Sequence, residues 1–183
     1  MTASASVDGE RLRALIRAIP DFPEPGILFR DITPLLHDPD GLRETNDALA
    51  EVARGYGATL VAGIEARGFI FGVPVAERLG LPFVPMRKPG KLPADRASVA
   101  YELEYGSASL EVHRDPSVDG HRVAIVDDLI ATGGTAEAAA QLVAGLGGEV
   151  SGFAFVVELA ELGGRDRLAP HEVTSLVTYR GAA

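Results

Sequence analysis

Read for its apolar positions alone, the chain alternates between two periods. Leu12, Leu15, Ile16 and Ile19 fall on one stripe of a helix over Glu10–Ile19, with Arg11, Arg13 and Arg17 off the stripe and Pro20 as the stop. Phe22 to Asp31 is apolar but broken by Pro23 and Pro25, so it predicts a loop, and Leu42, Leu49 and Val52 predict a helix over Pro39–Arg54. After these come a buried strand at Thr59–Ile64, a helix at Arg67–Leu79 that tolerates Pro74, and a strand at Leu81–Met86. A second series follows: a strand at Val123–Val126, an Ala-rich helix at Thr135–Leu146 closed by Gly147-Gly148, and strands at Val150–Val157 and Val173–Tyr179. Strands alternating with helices imply an α/β fold with a mostly parallel central sheet flanked by helices, whose ligands collect beyond the carboxyl ends of the strands. Between Arg87 and Arg114, Pro89, Gly90, Pro93 and Gly106 and the polar alternation of Tyr101–Val112 predict a long excursion or hairpin outside that sheet.

Composition narrows the class of protein. A chain of 183 residues, 46% of them hydrophobic, suits one domain spanning 1–183. No apolar run approaches the length of a membrane span, and Met1–Glu10 carries no secretory or transit signature, so no membrane partner and a cytoplasmic location are expected. The absence of cysteine excludes disulfides, thiolate metal sites and a Cys nucleophile. A formal charge of -9 repels nucleic acid, so none is expected as a partner. His37, His113, His121 and His171 are scattered without metal-ligand spacing and are expected at the surface.

The chemistry concentrates after the strand at Val123–Val126. Ala131-Thr132-Gly133-Gly134-Thr135 brings two glycines and two threonines directly into a helix, so backbone N–H groups, hydroxyls and the positive helix end converge on one anion. No lysine follows the glycines, which argues against a nucleotide β- or γ-phosphate and for a terminal monophosphate. Asp127 and Asp128 stand where a sugar on that phosphate presents its hydroxyls, and both reach one sugar only if the chain leaves strand geometry there. Solvated strand-end acids and an ordinary turn are the alternative.

This string is similar to the phosphoribosyl diphosphate signature of the type I phosphoribosyltransferases. The resemblance implies that fold, with a hood loop and a flexible catalytic lid. It also implies that Asp127 and Asp128 bind the ribose hydroxyls and Ala131, Thr132, Gly133, Gly134 and Thr135 the 5-phosphate. Mg2+ is implied as cofactor, bridging diphosphate and sugar, with no direct protein ligand.

Two basic segments also end strands. Ile64-Glu65-Ala66-Arg67-Gly68-Phe69 and Arg87-Lys88-Pro89-Gly90-Lys91 read, from the residues alone, equally well as anion sites or as a surface arginine and a solvated basic turn. Both resemble diphosphate segments of the adenine-specific family, which implies Arg67, Arg87, Lys88 and Lys91 as diphosphate contacts and a frequent non-proline cis peptide before Arg67. By composition Phe22–Asp31 reads as core before pocket. F-P-x-P-G-I-x-F-R-D-I-T-P, however, resembles that family's hood loop, which implies Leu28, Phe29 and Arg30 at the base, with backbone groups at Leu28 and Arg30 reading the adenine edge.

Leu103-Glu104-Tyr105-Gly106 by itself reads as strand surface, but it matches the family's catalytic lid. The resemblance implies Glu104 as acceptor of the adenine proton and Tyr105 as a cover that excludes water. Glu158–Asp166 resembles a further family segment, with Leu159 beside the base. The expected layout is an N-terminal helix and hood over about 8–36, a core over about 40–183 and a lid over about 94–112.

The activity implied is transfer of the phosphoribosyl group from phosphoribosyl diphosphate to adenine, giving AMP and diphosphate, by a homodimer. Two rivals remain: transfer to another purine or to orotate, and a non-catalytic sensor of phosphoribosyl diphosphate. A 6-oxo purine enzyme calls for a lysine near the base, but Lys91 is the last in the chain. A sensor calls for a DNA-binding module, for which the residues before Phe22 leave room for one short helix.

Overall fold

The computed structural model describes residues 9–102 and 107–181. In chain order the elements are α1 (Gly9–Ala14), β1 (Arg17–Pro20), β2 (Leu28–Asp31), α2 (Thr33–His37), α3 (Pro39–Gly55), β3 (Leu60–Ile64), α4 (Gly68–Leu79), β4 (Phe83–Met86), β5 (Arg96–Glu102) and β6 (Ser107–His113). They continue with β7 (Arg122–Ile130), α5 (Gly134–Gly145), β8 (Glu149–Leu159), a 3-10 turn, α6 (Gly164–Arg167) and β9 (Val173–Tyr179).

Five strands form a parallel sheet in the order β4-β3-β7-β8-β9. Its strands are apolar on both sides because both faces are covered. Leu60, Ala62 and Ile64 of β3 and Val123 and Ile125 of β7 pack with α5, while Val61, Ala124 and Val126 pack with residues of α3 and α4. Helix α3 has the expected amphipathic stripe, and its Asp38 cap accepts the Gly41 N–H at 2.6 Å. Chain order reverses at β3, which lies between β4 and β7, so the crevice beyond the carboxyl ends of β3 and β7 is the switch point of the sheet.

Outside the sheet, β5 and β6 form the antiparallel hairpin expected of the excursion. The N-terminal segment differs from expectation. The helix stops at Ala14, and Arg17–Pro20 instead pairs antiparallel with Leu28–Asp31, so the expected loop is in its second half a strand. The stripe that included Ile19 fits either period, and the backbone of Phe29 opposite it decides the matter. Arg30 stacks over the Tyr179 ring at 3.8 Å, at the end of β9. That contact holds the β1/β2 hairpin at the carboxyl end of the sheet. Among the described residues no helix is long and apolar enough to cross a membrane.

Candidate active site

At the switch point lies a cavity of about 480 Å³. The segment leaving β3 lines one wall with Ile64, Glu65, Ala66 and Arg67, and the Glu65-Ala66 peptide is cis. The opposite wall is the end of β7 and the loop into α5, from Asp127 through Ala136. Lys88 reaches it from the segment after β4, and Tyr101, Ala108 and Leu110 from the hairpin.

The loop meets α5 at Gly133, whose φ of 81° is left-handed and whose missing side chain leaves room for a neighbouring backbone, the Gly164 carbonyl oxygen lying 2.7 Å from where a Cβ would stand. Helix α5 therefore begins with its free N–H groups at the cavity wall, the geometry that favours an anion.

The acidic pair stands differently from expectation. Strand β7 continues through both acids to Ile130, so the chain does not leave strand geometry before the loop. Both still line the cavity, because Asp127 turns its carboxylate back to accept the Asp128 N–H at 2.9 Å while Asp128 accepts from Arg67. Burial first, and the charge of Asp128 second, push the Asp127 carboxyl well above the usual carboxylate range. Desolvation lowers the Arg67 pKa, but the attraction of Asp128 outweighs it and leaves the guanidinium above its ordinary value, with smaller help from Asp127 and Asp31. That last influence puts the end of the N-terminal hairpin within electrical reach of the cavity.

The remaining cations are separated. Arg87 does not line the cavity: its Nε donates to Glu65 at 3.1 Å, and its backbone pairs with Glu111 of β6. Lys91 also lies outside the lining, and its carbonyl accepts from Arg87 at 3.4 Å. Glu65, raised by burial but lowered more by the Lys88 N–H and the Arg87 guanidinium, ends below its ordinary pKa and fixes the basic segment beside the cavity.

Leu28, Phe29 and Arg30 lie on β2, outside the cavity lining but at the same end of the sheet. Glu104 and Tyr105 fall outside the described residues. Leu159 is the backbone partner of Tyr179, whose ring Arg30 covers, and does not line the cavity. Of the histidines, His37 and His171 are exposed, whereas His113 is half-buried with Nε2 unpartnered.

Two lining residues with polar side chains escaped sequence reasoning. Tyr101 places its hydroxyl 3.4 Å from the Thr135 hydroxyl, and Glu65 anchors the basic segment. The alternation Ala97, Val99, Tyr101 marks the inward face of β5, which is the only sequence signal for Tyr101. Among the described residues no group of three or more His, Cys, Asp or Glu is placed to hold a metal ion.

Comparison with known proteins converges on one family. A family model described as phosphoribosyl transferase domain matches residues 32–179. The adenine phosphoribosyltransferase of a Synechococcus strain is 58% identical over 168 residues, covering 92% of this chain and 98% of the relative. The crystal structure of adenine phosphoribosyltransferase from Thermoanaerobacter pseudethanolicus superposes with a TM-score of 0.90 at 51% identity, covering 93% of this chain and 99% of that one. The Saccharomyces cerevisiae enzyme, crystallised with an imino-altritol bisphosphate and adenine, gives a TM-score of 0.87 at 38% identity, covering 92% and 97%.

Proposed function

The chain belongs to the adenine phosphoribosyltransferase family, and from that membership and the geometry of the cavity we infer how it transfers the phosphoribosyl group of phosphoribosyl diphosphate to adenine, releasing AMP and diphosphate. The observation that carries the reading is the cavity at the switch point, into which an anion-binding loop and two carboxylates face from one wall and Arg67 and Lys88 from across it.

The loop Ala131–Thr135 anchors the 5-phosphate, and Asp127 and Asp128 accept the ribose hydroxyls, which fixes the sugar carbon between the two walls. Diphosphate leaves toward Arg67 and Lys88. Arg67 turns from Asp128 to the leaving oxygens, so the carboxylate charge it pairs with is exchanged for the charge that develops in the transition state. Arg87 and Lys91, held just outside, complete the positive wall.

Adenine enters from the β1/β2 hairpin, its ring against Phe29 and neighbours and its edge on the backbone of Leu28 and Arg30. Glu104 accepts the proton shed by the ring nitrogen as it bonds to the sugar, and Tyr105, in the lid over about 94–112, keeps water from the reacting carbon. Asp127 and Asp128 line the cavity with oxygen acceptors suited to the waters of a hard cation, so Mg2+ would be held near them by substrate and water, with no direct protein ligand. When bound it would neutralise the diphosphate. A homodimer in the cytoplasm completes the reading, on family precedent.

The test is incubation with phosphoribosyl diphosphate, Mg2+ and each base separately. Adenine is consumed and AMP and diphosphate form in equal amounts; turnover of guanine but not adenine would sink the assignment. Glu104→Gln lowers kcat by about 10² to 10⁴, the range of general-base catalysis. An unchanged kcat would remove Glu104 from the reaction and leave the family standing.

A further inference from the structure

The Glu158–Asp166 segment has no place in the reaction described above, yet its backbone meets the phosphate loop directly. A Cβ on Gly164 would collide with the Ala131 carbonyl oxygen and lie 2.8 Å from Ile130 Cγ1 and 3.0 Å from the Gly133 nitrogen. In return, a Cβ on Gly133 would lie 2.7 Å from the Gly164 carbonyl oxygen. Two backbones thus meet with no side chain between them, and one carries the amides that face the anion.

The turn bearing Gly164 is itself held from two sides. Arg165 grips both carboxylate oxygens of Glu158, Nε donating at 2.9 Å, and also donates to the Val173 carbonyl. Glu158 is buried at the end of β8, and the Arg165 hydrogen bonds hold its carboxyl below the ordinary range despite that burial. On the other side Arg167 Nε donates at 2.7 Å to Glu137, in the first turn of α5. The turn is therefore tied to the strand beside β7 and to the helix that follows the loop.

We propose that Gly164 is a positioning residue for the donor: its backbone is the floor on which Ala131–Gly133 rests, and the Glu158–Arg165 pair fixes the height of that floor. The proposal rests on the reading of the loop as the 5-phosphate cradle. Convergent amides lose their common focus when one moves by a fraction of an ångström, and a methyl group on Gly164 displaces backbone, which has no rotamer to give. Arg67 and Lys88 stand on segments after β3 and β4, and the β1/β2 hairpin is a separate sheet. The disturbance therefore falls first on the phosphate end of the substrate.

Binding of ribose 5-phosphate by calorimetry, together with KM for phosphoribosyl diphosphate and for adenine, tests this on the wild type, Gly164→Ala and Arg165→Lys. Gly164→Ala weakens ribose 5-phosphate and raises the donor KM by about tenfold or more, with adenine KM within about twofold. Arg165→Lys keeps a cation on Glu158 but loses the two-pronged grip, and shifts the donor KM the same way by about two- to fivefold. An unchanged donor KM in folded Gly164→Ala overturns the proposal, as does an equal rise in both KM values, which would mark general loosening. If Gly164→Ala does not fold, Arg165→Lys decides alone: a selective donor effect supports the floor and its absence overturns it. A wild type that does not bind ribose 5-phosphate overturns the phosphoribosyl reading and this proposal with it, whereas wild-type binding with unaltered variants overturns only the latter.

Discussion

The phosphate loop and the N-terminal hairpin are two halves of one proposed site, built in opposite ways. Ala131–Thr135 is five consecutive residues seated backbone on backbone against Gly164. The β1/β2 hairpin is held by side chains: Arg17 on Asp31 at 2.6 Å and Arg30 over Tyr179 at 3.8 Å, while Phe22 and Ile27 at its tip are 51% and 45% exposed. The donor's phosphate and sugar are the same whatever the acceptor, so a rigid cradle suits them. A flat base is gripped by apolar faces, and these are exposed until it arrives. Damage to the loop should therefore appear in donor binding, and damage to the hairpin in acceptor binding.

The largest effect is expected from Asp128→Asn. It removes a charged acceptor for the ribose hydroxyls and frees Arg67, and kcat/KM for phosphoribosyl diphosphate falls about a hundredfold, from hydrogen bonds to a charged group worth about 1.5 to 3 kcal/mol. Stability does not follow activity. Burial and the Asp128 charge raise the Asp127 pKa, so the substitution relieves that influence while forfeiting the pair with half-exposed Arg67, and the two offset to leave the melting temperature nearly unchanged. A variant that loses stability in step with activity would show that the pair is structural.

Phe22→Ala is the matching cut in the hairpin, with an intermediate effect. Phe22 meets Phe29 edge-on at 5.2 Å between centroids and is half exposed, so its loss costs about 1 kcal/mol or less of stability. Adenine KM rises about tenfold through loss of apolar contact, and donor KM stays put. A shift in donor KM instead would erase the distinction between the two regions.

What was legible in the sequence follows the same division. Helix α3 and strand β9 appear where the sequence places them, because a helical stripe and a run of β-forming residues are both written in neighbouring positions. The phosphate loop was legible for the same reason. Arg17–Pro20 was not: Leu12, Leu15, Ile16 and Ile19 satisfy a helical stripe, and only the partner strand ten residues on makes the last turn extended. Nor could the sequence place Arg87 against Glu65, or Gly164 against Ala131, because these pairs are 22 and 33 positions apart. Local spacing reports chemistry that one segment performs, whereas chemistry assembled from several segments depends on the sheet that gathers them.

The smallest expected effect concerns the joint between the hairpin and the rest of the chain. Asp31 accepts from the Thr33 hydroxyl at 2.6 Å and the Thr33 N–H at 2.9 Å, and these bonds, with Arg17, lower its pKa from 3.8 to about 2 against a smaller opposing effect of burial. A carboxyl whose pKa is lower folded than unfolded stabilises the fold above pH 4 or so and loses that contribution as pH falls toward 2. Arg17 is 60% exposed, so solvent screens its share, and the net contribution is about 1 kcal/mol or less. Asp31→Asn should melt about 2 to 4 °C below the wild type at pH 7, with the gap closing below pH 3 as the wild-type carboxyl protonates. Thermal melts at the two pH values measure it. A gap that persists in acid would mean that the shape of the Thr33 turn holds the hairpin, and the contrast with the backbone-seated phosphate loop would narrow accordingly.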